Sequence, residues 1–166
     1  MIASIMINLD KRAFYSYDSG WERTFFDERT GGFVVTELAR KYKTMSKHDL
    51  ETFLKEQRMA MRFASFGFQI EHLNEMPGIS SPDAYVRKHG GESLTVKGHL
   101  ADFKSTKSAN NIVEYAKHAV RDQGADFLLI EFLSHDVRIP SAIRSMISNK
   151  IHGYYYYWDD NKYRSF

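Results

Sequence analysis

Asp83, Asp102 and Lys104 are the residues of this chain whose types and spacing suit a reaction. If Leu100 to Lys104 is a strand, alternation puts Asp102 and Lys104 on one face and Ala101 and Phe103 on the other. A carboxylate and an ammonium then stand about 7 Å apart along the strand. Pro82-Asp83 lies some twenty residues earlier, room enough for a hairpin turning at Gly90-Gly91, so Asp83 can meet Asp102 across paired strands. Two carboxylates that can share a divalent cation, beside a lysine that can orient a water or steady a charged transition state, suit metal-assisted phosphodiester hydrolysis. Taken alone, the same residues also fit a turn carboxylate and a surface charge pair worth a few tenths of a kcal/mol.

The elements that must position these groups can be read in order. Ile2 to Leu9 is an apolar run read as a buried strand; it is too short for a membrane span and has the wrong flanks for a signal peptide. Trp21 to Phe26 is a short element. Thr30-Gly31-Gly32 turns into a strand at Phe33 to Thr36, and a short helix can follow from Glu37 to Tyr42. Ser46-Lys47-His48-Asp49 has the form of a helix start and Gly67 that of a stop, so a helix is expected from Lys47 to Phe66. Leu50, Phe53, Leu54, Ala60, Met61 and Ala64 form its apolar stripe. Glu56 falls at the stripe's edge, the helix carboxylate that can face inward.

Phe68 to Leu73 reads as a strand and Pro77-Gly78 as a loop. Tyr85 to Arg87 and Leu94 to Lys97 read as hairpin partners, with a bend near Gly98. Ser108 is placed as the cap of a helix from Ala109 to Gln123, stopped by Gly124, with Gln123 on its apolar face. The nearly unbroken apolar run Asp126 to Phe132 is a central strand covered on both faces, which makes a βαβ crossover. Pro140 opens a last helix to about Lys150, and Tyr154 to Trp158 closes the sheet. The expected fold is α/β (α+β), a mixed central sheet flanked by helices, in one domain over 1–166 with an N-terminal extension over 1–45 and a core over 46–160. Ser105, Thr106, Lys107 and Asn111 sit just past the Asp102 strand, where α/β sheets gather ligands, and are the candidate phosphate contacts.

Composition excludes some classes. The 166 residues contain no cysteine, so disulfides and thiolate metal sites are out. The seven histidines, among them His72, His99, His118 and His135, match no zinc spacing, though any can serve as a general base near neutrality. Net charge is only +2. The residues from Arg87 onward carry 12 Lys+Arg against 9 Asp+Glu, so the excess lies in the half holding Asp102. Ten tyrosines offer rings that can stack on bases, although most are expected in the core.

This order of parts, a helix with an inward Glu, a strand, Pro-Asp, a hairpin, an Asp-x-Lys strand, a helix ending in Gln and an apolar strand, resembles the PD-(D/E)XK nuclease superfamily. More closely, Gly67-Phe68-Gln69-Ile70-Glu71-His72-Leu73, Ser81-Pro82-Asp83-Ala84, Ala101-Asp102-Phe103-Lys104 and Gln123-Gly124-Ala125-Asp126 resemble the C-terminal toxin nucleases of contact-dependent growth-inhibition proteins. Thr30-Gly31-Gly32-Phe33-Val34-Val35 is similar to the lead-in of related domains in mobile elements. The resemblance covers residues 30 to 160 and implies a restriction-endonuclease-like core. It implies that Asp83 and Asp102 hold Mg²⁺ or Mn²⁺, that Lys104 activates water, that Glu56 completes the carboxylate set, and that Gln123 orients a phosphate or the site's backbone. It further implies tRNA cleavage in the cytoplasm of target cells, with a cognate immunity protein as partner; in departure from that family, no secretion or translocation region is expected ahead of the domain. The alternatives are a DNA endonuclease of a mobile element and a non-catalytic nucleic-acid or protein-binding module.

Overall fold

The computed structural model describes residues 1–75, 78–89, 92–93 and 99–166. Pro77, the Gly90-Gly91 turn, the Leu94 to Lys97 strand and the Gly98 bend lie outside them. The chain divides into two compact units, residues 1–75 with 84–95 and residues 76–83 with 96–166. Both combine parallel and antiparallel strands with helices, the mixed α/β fold read from the sequence.

The first unit opens on a helix, α1 (Ile2–Tyr15), where the sequence reading expects a strand. A short apolar run does not separate the two, and the helical period decides. Ile2, Ile5, Met6 and Leu9 recur at helix spacing on an exposed side, while Asp10 and Phe14, four apart, turn inward. Asp10 accepts from the Gln69 amide at 2.8 Å, so its burial is paired. β1 (Trp21–Phe26) and β2 (Phe33–Glu37) form an antiparallel pair. The turn between them needs Gly32, because a Cβ there would run into the Ala64 carbonyl.

A short helix, α2 (Leu38–Lys41), precedes α3 (Lys47–Ser65). Ser46 caps α3 in a reciprocal box with Asp49, and Gly67, at φ 103°, ends it. Its buried face is Phe53, Glu56, Met59, Ala60, Phe63 and Ala64. Leu50 and Leu54, placed in the stripe by sequence, are exposed, so the face is rotated and Glu56 lies within it rather than at its margin. β3 (Gln69–His72) runs parallel to β2 and antiparallel to β4 (Ala84–His89), which pairs with β5 (Glu92–Ser93).

In the second unit, β6 (Leu100–Thr106), β7 (Phe127–Phe132) and β8 (Gly153–Tyr157) are parallel, and β9 (Arg164–Ser165) returns antiparallel on β8. Every residue of β7 is buried, as a central strand requires. α4 (Ile112–Arg121) connects β6 to β7, and α5 (Ile139–Ser148) connects β7 to β8. Ile112, Ala116 and Ala119 of α4 and Ile139, Ile143 and Met146 of α5 pack on Leu128, Ile130 and Phe132. Tyr154 and Tyr156 are buried, which makes that tyrosine pair core.

α4 is shorter than the sequence suggests at both ends. Ser108 does not cap it: its hydroxyl accepts from the Asn110 N–H, and the helix starts only after Asn111, at φ 61°. Asp136 draws this lead-in away from helical geometry by accepting the Ala109 N–H at 3.2 Å, while Arg138 donates to Asn110 Oδ1 at 2.6 Å. At the other end Gln123 lies past the last turn, in the bend before Gly124.

Candidate functional site

Asp102 and Lys104 do share a face. In the parallel register Asp102 stands beside Leu128 and Lys104 beside Ile130, on the side of β7 that α4 covers. Asp102 is 1% exposed. The Tyr115 hydroxyl of α4 lies 3.1 Å from both Asp102 Oδ2 and the Phe103 carbonyl, able to donate to either. Lys104 Nζ sits 4.2 Å from the centre of the Tyr115 ring, a cation–π contact that holds the ammonium two residues from the carboxylate. Tyr115 thus touches both charged groups. The sequence reading passes over it, although its place three residues after Ile112 on the buried side of α4 was the available signal.

Asp83 arrives beside the same strand through its backbone. Its N–H donates to the Ala101 carbonyl at 3.1 Å, and its Oδ2 accepts the Phe103 N–H at 2.9 Å. These two bonds bracket Asp102. Carboxylate oxygens are the hard donors that Mg²⁺ and Mn²⁺ take, so Asp83 and Asp102 have the donor chemistry for such an ion.

The other expected site residues are spread more widely. Ser105 points to the opposite face of the sheet from Asp102 and Lys104, where it donates to Glu131 Oε1 at 2.7 Å. Glu131, 4% exposed on β7, also accepts from the Tyr156 hydroxyl at 2.8 Å. The in-register row Ser105, Glu131, Tyr156 is a buried polar array that the sequence reading leaves out, though Glu131 is the ionisable residue within an otherwise apolar strand. Thr106 closes the next turn, exchanging hydrogen bonds with Ser108. Lys107 and Asn111 are exposed. Gln123 is at the far end of α4 from these residues, about 15 Å along a helix of ten residues. Its Oε1 is buried with no hydrogen-bond partner among the described residues.

Glu56 belongs to the first unit, where it sits 7% exposed. Its Oε2 accepts from Arg40 Nη2 at 3.0 Å and from His72 Nε2 at 2.8 Å. Phe53 stacks on the His72 ring at 5.4 Å, Gln57 meets His72 Nδ1 at 2.6 Å, and Arg40 reaches Glu75 at 3.4 Å. Burial, the largest single influence, pushes the Glu56 carboxyl up. The hydrogen bond and charge of His72, with Arg40, outweigh it, and the group lies below the usual carboxylate range.

No protein-family model matches the chain, and no curated protein matches it. Among solved structures, a chain of the CdiA-CT/CdiI toxin and immunity complex from Burkholderia pseudomallei superposes with a TM-score of 0.50 at 16% identity, over 74% of this chain and 89% of that one. The likeness is one of fold. Among the described residues no helix is long and apolar enough to cross a membrane.

Proposed function

We propose that this chain is a metal-dependent endonuclease that acts as a toxin, with tRNA as the favoured substrate. The observation that carries the reading is the pair of hydrogen bonds, one from its N–H and one to its carboxylate, by which Asp83 brackets Asp102 on the strand that also presents Lys104. The fold shared with a toxin and immunity complex supports the toxin role and an immunity protein as partner. Asp83 and Asp102 would hold Mg²⁺ or Mn²⁺, which supplies Lewis acidity toward a phosphoryl oxygen and a more acidic water. Lys104, steadied over Tyr115, orients the attacking water or neutralises charge growing on the phosphate. In the first unit, the depressed pKa of Glu56 keeps that carboxylate anionic at neutral pH. Delivery into a target cell's cytoplasm as part of a larger protein follows from the toxin role.

The test is cleavage of total tRNA and of duplex DNA, in Mg²⁺ and in EDTA, by wild type, Asp102→Ala and Lys104→Ala. Cleavage of tRNA alone, abolished by EDTA and reduced at least a hundred-fold in both variants, is the expected result. Cleavage of DNA alone would move the substrate to a mobile-element endonuclease. Folded wild type that cuts neither would leave a binding module.

A further inference from the structure

At the carboxyl ends of β6, β7 and β8 the three following loops are stitched together. The Leu133 N–H donates to the Thr106 carbonyl at 2.8 Å, the Trp158 N–H donates to the Phe132 carbonyl at 3.0 Å, and the Ser134 hydroxyl donates to the Lys107 carbonyl. On this rim the His135 imidazole stacks on Tyr157 with ring centres 4.4 Å apart, and Trp158 lies 5.2 Å from His135. Tyr157 is anchored below by Phe132 at 5.7 Å and Tyr155 at 6.1 Å. Asp159 accepts from His135 Nε2 at 2.9 Å and fixes the imidazole's rotation. Yet the outer rings stay open: His135 is 57% exposed and Trp158 47%. Rings held so firmly from beneath lose little freedom when a flat ligand settles on them.

The chemistry around the rings selects that ligand. Lys107, tied to the His135 loop through Ser134, is exposed and makes no ion pair among the described residues. The Arg164 guanidinium lies 5.5 Å from the Tyr157 ring centre. Of the nearby carboxylates, Asp159 accepts from His135, and Asp160 is paired with Arg164 at 3.1 Å, which lessens the repulsion of a phosphate by Asp160. Three residues after His135, Arg138 lines a cleft of about 310 Å³ between α4 and α5 with Asn110, Ser141 and Ser145. Aromatic faces beside an exposed lysine and hydroxyls are what an unpaired nucleotide takes: the base on the rings, the phosphate on the lysine. A paired base, its faces stacked inside a duplex, cannot reach them.

We propose that His135, Trp158 and Lys107 form a binding site for an unpaired nucleotide of the nucleic-acid substrate, apart from the Asp83 and Asp102 carboxylates. The site rests on the nuclease reading for its ligand, so its test runs in EDTA, where cleavage plays no part. With Trp21→Phe, Trp158 is the remaining tryptophan of the chain's two, and its fluorescence reports the rim directly. The probes are a ten-nucleotide single-stranded RNA, the same sequence as DNA, and the RNA duplex. The single strands are expected to quench Trp158 and, end-labelled with fluorescein and followed by anisotropy, to bind at least five-fold more weakly to Trp158→Ala and His135→Ala. Asp159→Ala, which frees the imidazole without removing a ring, gives a smaller loss and guards against a folding defect in the two ring variants. RNA against DNA sets which sugar the site prefers. Unchanged single-strand affinity in both ring variants, or equal quenching by the duplex, overturns the site and leaves the nuclease reading standing. Quenching and lost affinity in a protein that cleaves nothing support the site and overturn the nuclease. Wild type that binds no single strand overturns the site.

Discussion

Glu56 shows how far one residue's chemistry depends on its neighbours. A carboxylate in the interior is unfavourable unless paired, and here Arg40 and His72 share one of its oxygens. Because its folded pKa is depressed below the ordinary 4.5, its contribution to stability is complete above that value. It is lost as the pH falls through the depressed value, when the buried carboxyl takes up a proton. Glu56→Gln keeps the shape and removes the charge, leaving Arg40 without its buried counter-charge. The variant is expected to lose about 3 kcal/mol of unfolding free energy at pH 7. Its stability should also fall less steeply on acidification than that of wild type, measured by urea titration at a series of pH values. Parallel acid limbs in the two proteins would show that Glu56 titrates unperturbed.

At the scale of elements, the β1–β2 turn and α3 are locked to each other. Thr30 donates to the Ala64 carbonyl at 3.2 Å, and the absent side chain of Gly32 leaves room for that same carbonyl. Gly32→Ala should therefore cost roughly 3 kcal/mol, since a backbone oxygen cannot step aside as a flexible side chain can. A thermal melt of the variant checks it, and a melting temperature within a degree of wild type would mean that the turn opens without cost. The lead-in to α4 shows the converse. Ser108 is a good cap by composition, but Asp136 and Arg138, nearly thirty residues later, hold the segment in a turn and delay the helix to Ile112.

For the whole molecule, a bound divalent ion adds its binding free energy to the stability of the folded chain. At a hundred times its Kd the gain is about 2.7 kcal/mol, and each kcal/mol raises the melting temperature by about 2–4 °C for a chain of this size. Mg²⁺ or Mn²⁺ should raise the melting temperature of wild type by several degrees, reversibly with EDTA, and leave Asp102→Ala unmoved. An equal rise in the variant would put the ion elsewhere. The sequence by itself determined the parts that depend on near neighbours. The capping box of α3, the βαβ order around a wholly buried β7 and the common face of Asp102 and Lys104 all follow from periods of 3.6 and 2 and from local hydrogen bonds. Only the tertiary structure decided the helical N-terminus, the rotation of α3 that buries Glu56, the ring of Tyr115 under Lys104 and the open stack of His135 on Tyr157. Each of these is set by a partner distant in sequence, and a pattern of spacings along the chain does not say which distant group will satisfy a polar atom or cover a face.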